Sequence, residues 1–171
     1  AEDLASYQGR IEEPATVTYR GYTIHKAGFW NQGPALLQTL KLLEGFDLAA
    51  MGQGSADALH TIVEAIKLAY ADRDRYYGDP DFVRVPGGAL LSERYAAARR
   101  PLIDRRRAST ESRPGDPERG AASITSSRGR TRRPSGDSQR ESGDTTAIEV
   151  VDAHGNLFSS TPSSGWMLEG A

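Results

Sequence analysis

A threonine near the end of this 171-residue chain has the sequence position best suited to nucleophilic chemistry. Thr145 follows Gly143 and Asp144 and begins a stretch that is typical of a β-strand. Such a Thr is ordinarily a β-branched residue in a place that its propensity favours. Cleavage of the Asp144–Thr145 bond would instead give Thr145 a free α-amine beside its own hydroxyl, a nucleophile and base within one residue. An α-amine has a pKa of about 8 and accepts a proton near neutral pH.

The remaining polar residues offer little for other chemistry. The chain has no Cys, which excludes disulfides, thiolate nucleophiles and Cys-ligated zinc. Its three His residues lie far apart in the sequence, which does not favour a His-rich metal site. We interpret His60 as a packed side chain and residues 79–81, Asp-Pro-Asp, as a turn. Residues 72–75, Asp-Arg-Asp-Arg, alternate around a predicted helix, and we interpret them as a solvated, salt-bridged face.

The overall charge favours neither nucleic acid nor a membrane as partner. The chain has 21 Lys and Arg against 23 Asp and Glu, a formal net charge of −2. No apolar run is long enough for a transmembrane helix. An Arg-rich nucleic-acid binder is an alternative for residues 105–140, which would give a salt-dependent affinity, but no aromatic residues are interleaved there for base stacking.

Composition divides the chain into three parts. Residues 1–104 and 145–171 have the composition of globular protein, and residues 105–144 do not. The middle part is rich in Arg, Ser, Gly and Pro, and Ile124 is its only large aliphatic residue. Such a segment buries too little apolar surface to offset its ordering entropy, so we predict a mobile surface loop or linker that ends at the Asp144–Thr145 junction.

Two hairpins and three helices are predicted around this segment. Residues 17–19 and 22–24 flank Arg20-Gly21, which predicts a short hairpin, with an unbroken strand as the alternative. A helix is predicted from Pro34 to Glu44, with Gly45 as its stop. The other elements are a helix from Ser55 to about Tyr76 with Leu59, Ile62, Val63, Ile66, Ala69 and Tyr70 on one face, a helix from Ser92 that stops at or before Pro101, and a hairpin of residues 145–151 and 157–161.

Several ungapped blocks of this sequence resemble the γ-glutamyltranspeptidase family. The likeness covers about residues 14–104 and 141–165, in family order and spacing. The blocks are Tyr19-Arg20-Gly21-Tyr22, Leu43-Glu44-Gly45-Phe46-Asp47, Gly54-Ser55-Ala56-Asp57-Ala58, the Glu64–Arg73 stretch, Gly78-Asp79-Pro80-Asp81-Phe82-Val83, Val85-Pro86, Thr145-Thr146 and Val150-Val151-Asp152 with Gly155-Asn156.

The resemblance implies an N-terminal nucleophile (Ntn) hydrolase, α/β in content and part of a four-layer αββα sandwich. Members are made as precursors that cut themselves into a large and a small subunit, and the match places the first residue of the small subunit at Thr145. It implies that Thr145 attacks the Asp144 carbonyl in the precursor and γ-glutamyl amides in the mature enzyme. Thr161 and Ser163 match supporting hydroxyl residues, and no metal or organic cofactor is implied.

Some positions depart from the family pattern. Gly165 stands where a substrate-contacting Asn is found, and Ala147 replaces a His. Residues 28–33 replace a Pro-rich, Ser-Gly-Gly segment. The nucleophile is kept, while γ-glutamyl specificity is put in question, so a related Ntn amidohydrolase or acylase and a catalytically dead binding module are the alternatives.

The resemblance also implies the surroundings of this chain. Residues 1–104 match the C-terminal part of the large subunit and residues 145–171 the start of the small one. The expected partners are a small γ-glutamyl or other amide substrate and the remaining segments of the same precursor. A substrate-binding Arg is expected upstream and the oxyanion-hole glycines downstream, so we expect little activity from these 171 residues alone. Bacterial relatives are often periplasmic or secreted.

Overall fold

The computed structural model of the chain describes residues 6–9, 11–123 and 148–160. Asp144, Thr145, Thr161 and Ser163 lie outside these described residues, as does Gly165. The chain divides into two compact units, Ala1–Ser127 and Arg128–Ala171. The described part of the first unit contains helices and strands, and that of the second contains two strands.

The first unit begins with the predicted hairpin. Strand β1, Ala15–Tyr19, pairs antiparallel with β2, Tyr22–Lys26, and Val17 lies opposite Ile24. The two linking residues both have positive φ, 48° at Arg20 and 87° at Gly21. Such a two-residue turn matches the twist of the strands that it joins. The hairpin is confirmed, and the unbroken strand is excluded.

Helices form most of the rest of this unit. Their bounds are Gly33–Leu43 for α1, Leu48–Met51 for α2, Ala56–Tyr76 for α3, Gly87–Leu90 for α4 and Glu93–Arg99 for α5, followed by a 3₁₀ turn at Arg100–Leu102. The three predicted helices are α1, α3 and α5, while the short α2 and α4 were not predicted. Ser55 caps α3 by accepting a hydrogen bond from Ala58 N, and Ser92 caps α5 by accepting one from Tyr95 N. Both caps satisfy amides that have no partner within the helix.

The apolar core lies where α3 and α5 pack against α1. It contains six buried residues, Leu42, Leu43, Ala65, Leu68, Ala96 and Ile103. Small residues on α3 allow this close packing, and Ala65 and Ala69 are fully buried. The opposite face of α3 carries Leu59, Val63 and Tyr70, which are exposed in this unit.

The described part of the second unit is a hairpin. Strand β3, Ile148–Val151, pairs antiparallel with β4, Leu157–Ser160, as predicted. Asp152 organises the turn, since its carboxylate accepts hydrogen bonds from His154 N and from Asn156 N and Nδ2. None of the helices that the structure describes is long and apolar enough to cross a membrane.

Candidate functional site

The structure describes the chain on both sides of the candidate Asp144–Thr145 junction, up to residue 123 and from residue 148. Strand β3 begins at Ile148, three residues after Thr145. On the other side, residues 109–122 are described in full, and we call them the strap. The strap lies against α3 and α5 through polar contacts. The side chains that make these contacts are described below.

Asp72 of α3 is the centre of these contacts. Its side chain is buried and accepts hydrogen bonds from Gln38 Nε2 at 3.2 Å and from the Tyr95 hydroxyl at 2.9 Å. It also accepts one from the strap amide of Gly115 at 2.9 Å and pairs with the buried Arg99 guanidinium at 3.3 Å. Burial raises the pKa of the Asp72 carboxyl, and the nearby charge of Arg99 opposes this rise.

The phenols around Asp72 are held in their neutral form. Burial raises the pKa of the Tyr95 hydroxyl well above its ordinary value, and the adjacent Asp72 carboxylate raises it further. The same two causes raise the pKa of Tyr77, whose hydroxyl donates to Gln38 Oε1 at 2.6 Å. Both phenols therefore serve as hydrogen-bond donors in this network at neutral pH.

Glu64 forms a second buried centre two helical turns before Asp72. Its carboxylate accepts hydrogen bonds from Lys67 Nζ at 2.7 Å, Arg113 NH2 at 3.0 Å and the strap amide of Ser109 at 3.2 Å. Burial would raise the pKa of Glu64, but these three donors outweigh it and leave the pKa below its ordinary value. Glu64 therefore remains ionised and binds the first part of the strap.

Arg99 of α5 joins residues 113–122 of the strap to the helices. Its NH1 atom donates to the carbonyls of Arg113 and Ala122, at 2.5 and 2.6 Å. Its NH2 atom donates to Leu68 O of α3 at 3.1 Å, besides pairing with Asp72. One buried guanidinium therefore links α3 and α5 to both ends of residues 113–122 of the strap.

The interpretation of residues 72–75 as a solvated face was wrong for Asp72. Only 1% of Asp72 is exposed, whereas Arg73 and Asp74 form an ion pair at the surface. A signal for this burial was in the sequence. Glu64, Leu68 and Asp72 recur every four residues, so they share a helix face with the small residues that pack against neighbours.

The two other interpretations of isolated polar residues agree with the structure. His60 packs at the edge of α3, with its Nε2 atom 2.7 Å from Asp104 O. Asp79 forms a turn in which its side chain accepts from Asp81 N and its carbonyl from Phe82 N and Val83 N. Within residues 6–9, 11–123 and 148–160, no group of three or more His, Asp or Glu is arranged to hold a metal ion.

The segment that departs from the family pattern forms the approach to α1. Asn31 Oδ1 accepts a hydrogen bond from Gly33 N at 2.6 Å, and Gln32 Oε1 accepts one from Arg73 at 2.7 Å. The Phe29 ring packs edge-on against Tyr77, with ring centres 4.9 Å apart. Trp30 donates its indole N–H to Glu12. Through Arg73 and Tyr77, residues 28–33 contact the C-terminal end of α3, one of the two helices that carry the strap.

Comparison with known proteins places the chain in a family. The family profile described as Gamma-glutamyltranspeptidase matches residues 1–169. The chain belongs to this family. It is 38% identical over 163 residues to the glutathione hydrolase proenzyme of Escherichia coli K12, covering 94% of this chain and 25% of that protein. It is 37% identical over 160 residues to the acylase ACY 1 proenzyme of Pseudomonas sp. SE83, with 93% and 25% covered.

Solved structures of both kinds of relative resemble it. Helicobacter pylori γ-glutamyltranspeptidase matches with a TM-score of 0.61 and 38% identity, over 64% of this chain and 32% of that one. A cephalosporin acylase from Bacillus halodurans matches with a TM-score of 0.62 and 34% identity, over 68% and 21%. The chain spans about a quarter of the length of the curated relatives that it matches.

Proposed function

We propose that this chain is the central part of a γ-glutamyltranspeptidase-family precursor that cuts itself before Thr145 and then uses Thr145 to cleave amides. The family profile carries the proposal, because the residues that it matches, 1–169, include both sides of the Asp144–Thr145 junction. The proenzyme names of the relatives support processing into subunits. The wider αββα sandwich, Thr161 and Ser163 as supporting hydroxyls, and the absence of a cofactor belong to the same proposal.

The self-cleavage step exchanges an amide for an ester. Thr145 Oγ attacks the carbonyl carbon of Asp144, the C–N bond breaks, and the hydroxyl proton passes to the departing nitrogen, which becomes the α-amine of Thr145. Water then hydrolyses the ester, which leaves a carboxyl group on Asp144 and frees the Thr145 hydroxyl. Atoms balance with water as the only co-reactant.

Amide cleavage repeats this chemistry on a small molecule. The α-amine of Thr145 takes the hydroxyl proton as Oγ attacks the amide, and the proton then passes to the leaving amine. The acyl group remains on Oγ as an ester until water or an acceptor amine removes it. Thr145 thus supplies both nucleophile and base, and hydrolysis and transfer differ only in the acceptor.

An acylase activity on an amide without a γ-glutamyl group is the second candidate. Acylase proenzymes and glutathione hydrolase proenzymes match this chain at nearly equal identity. In addition, Gly165 lacks the side chain that the resemblance implies for contact with a glutamyl group. Specificity is therefore the part of the function on which the two candidates differ.

A pair of chromogenic amides separates these candidates. γ-Glutamyl anilide and glutaryl anilide differ only in the α-amino group, and both would be offered to the full-length protein and to its Thr145→Ala and Thr146→Ala variants. We expect hydrolysis by the wild type and Thr146→Ala and none by Thr145→Ala. A preference for the γ-glutamyl compound supports the transpeptidase, and a preference for the glutaryl compound supports the acylase. Equal hydrolysis by the wild type and Thr145→Ala would contradict both.

A further inference from the structure

The strap is held mainly by its main chain. Six side chains of α3 and α5 make hydrogen bonds to main-chain N–H or C=O groups of the strap: Glu64, Lys67, Asp72, Tyr76, Arg94 and Arg99. The groups that they bind belong to Ser109, Arg113, Gly115, Glu118, Arg119 and Ala122. Main-chain groups occur in every sequence, so this contact needs little from the strap's side chains.

Several strap positions do depend on residue type. Gly115 packs so closely that a Cβ there would collide with the Tyr95 hydroxyl and lie 2.9 Å from Ala121 O. Gly120 has a φ of 69°, and a Cβ there would lie 2.9 Å from the Arg94 guanidinium. Arg113 places its guanidinium between Glu64 and the carbonyl of Leu102, and Pro117 is fully buried. By contrast, Glu111 and Ser112 are exposed. The strap therefore combines several demanding positions with exposed, undemanding ones.

The buried charges of the helices depend on the strap in turn. Arg99 is 1% exposed, and two of its partners, the carbonyls of Arg113 and Ala122, belong to the strap. Asp72 would lose the amide of Gly115, and Glu64 would lose Ser109 N and Arg113. Polar groups that lose their partners without being fully hydrated are costly, so the bound strap is the favoured state.

We propose that the face of α3 and α5 built by Glu64, Asp72 and Arg99 is a docking surface for main-chain groups, and that the strap is its occupant. The strap ties the chain upstream of the junction to the helices before and after self-cleavage. Its attachment in the cleaved protein rests on the proposed function. Its attachment in the uncut protein does not.

Limited digestion with trypsin tests this proposal, because the strap contains Arg119 followed by Gly120. Arg113 is not a trypsin site, since Pro114 follows it. The Arg119 side chain is 86% exposed, yet cleavage also requires the main chain to leave the helices. We expect the Arg119–Gly120 bond to resist trypsin in the full-length protein and in its Thr145→Ala variant. Peptide masses would give the initial rate of cutting at this bond.

Two substitutions should release the strap by different routes. Asp72→Asn removes the charge that faces Arg99, and Gly115→Ala adds one methyl group on the strap itself. Each is expected to speed cutting at Arg119 by at least about tenfold, because proteolysis follows the population of the open state. Asp74→Asn and Gly88→Ala are matched controls, since Asp74 is at the surface and a Cβ at Gly88 meets nothing within 4 Å.

The double variant Glu111→Ala, Ser112→Ala tests the main-chain claim. It should be cut as slowly as the wild type, within about twofold. Rapid cutting of the wild type at Arg119 would overturn the proposal, and so would release of the strap by this double variant. If Asp72→Asn does not yield folded protein, Gly115→Ala decides alone. A protein that never cuts itself would refute the proposed function, while the result with Thr145→Ala would still decide on the strap.

Discussion

At the scale of single residues, the environments of two carboxylates of α3 shift their pKa values in opposite directions. Burial raises the pKa of Asp72, and positive and amide donors lower the pKa of Glu64. Both face main-chain amides of the strap. They therefore respond differently to acid although they belong to the same contact.

The pH dependence of stability should identify Glu64. A carboxyl whose pKa is lower in the folded protein stabilises the fold above its unfolded value, and this contribution is lost as the pH falls through the folded pKa. The contribution of Glu64 is therefore full above its ordinary pKa of 4.5 and decreases below it. In Glu64→Gln we expect a lower melting temperature at pH 7, by an equivalent of about 2 kcal/mol, since charged hydrogen bonds are lost.

The control for this prediction is the change in melting temperature between pH 7 and pH 4. It should be smaller in Glu64→Gln than in the wild type, because the variant has no charge to lose at that position. Asp72 acts in the opposite direction in both proteins and does not alter their difference. An equal drop in the two proteins would refute the role assigned to Glu64.

At the scale of secondary structure, the caps and turns of the helical unit follow local rules. Ser55 and Ser92 begin helices, and Arg20-Gly21 makes the hairpin turn. Local signals of this kind involve neighbouring residues only, and for that reason the sequence predicted them. The long helix α3 also carries the face that binds the strap, so the cap on its first turn stabilises the helix on which the strap depends.

Removal of the cap on α3 should be measurable. Ser55→Ala leaves the amide of Ala58 without its partner and is expected to cost about 1 kcal/mol. Ser55→Asp retains an acceptor at this position and should remain near the wild type. Thermal denaturation of the full-length protein measures both. Equal loss in the two variants would show that the hydroxyl does not act as a cap.

The buried face of α3 was predicted only in part, for a physical reason. Of the residues selected by apolar periodicity, Ala69 is buried and Ile62 packs against the core. Leu59, Val63 and Tyr70 are exposed in this unit, while Glu64 and Asp72 are buried. A charged residue is buried only when its partners are present, and here most of those partners come from α5 and the strap, 23 to 49 residues further along the chain. The helical spacing of residues in one segment does not report pairing with residues so distant in the sequence.

At the scale of the whole molecule, composition describes the segment after residue 104 only in part. It predicts a mobile loop or linker for residues 105–144, yet the strap has a described path and many bonds to the helices. Composition measures apolar surface, and the strap is held through main-chain groups that every residue has. The family was predictable, because its blocks are in register, and the profile match confirms it. The division into subunits and the roles of Thr145, Thr161 and Ser163 stay predictions.

The 171 residues by themselves should be inactive. They span about a quarter of the length of their curated relatives, and the resemblance places substrate-binding groups on both sides of them. We expect hydrolysis of γ-glutamyl and glutaryl anilides by the full-length protein and none above background by the 171-residue chain. Turnover by this chain at a rate similar to that of the full-length protein would refute the expectation.

The central claim concerns one bond, and intact mass tests it most directly. Freshly made full-length protein would be followed over time beside Thr145→Ala, Thr145→Ser and Thr146→Ala. The account predicts two fragments, the smaller beginning at Thr145, from the wild type and Thr146→Ala, and also from Thr145→Ser because its hydroxyl is kept, while Thr145→Ala remains one chain. A wild type that remains intact under every condition, or a Thr145→Ala variant that is cut at the same bond, would contradict it.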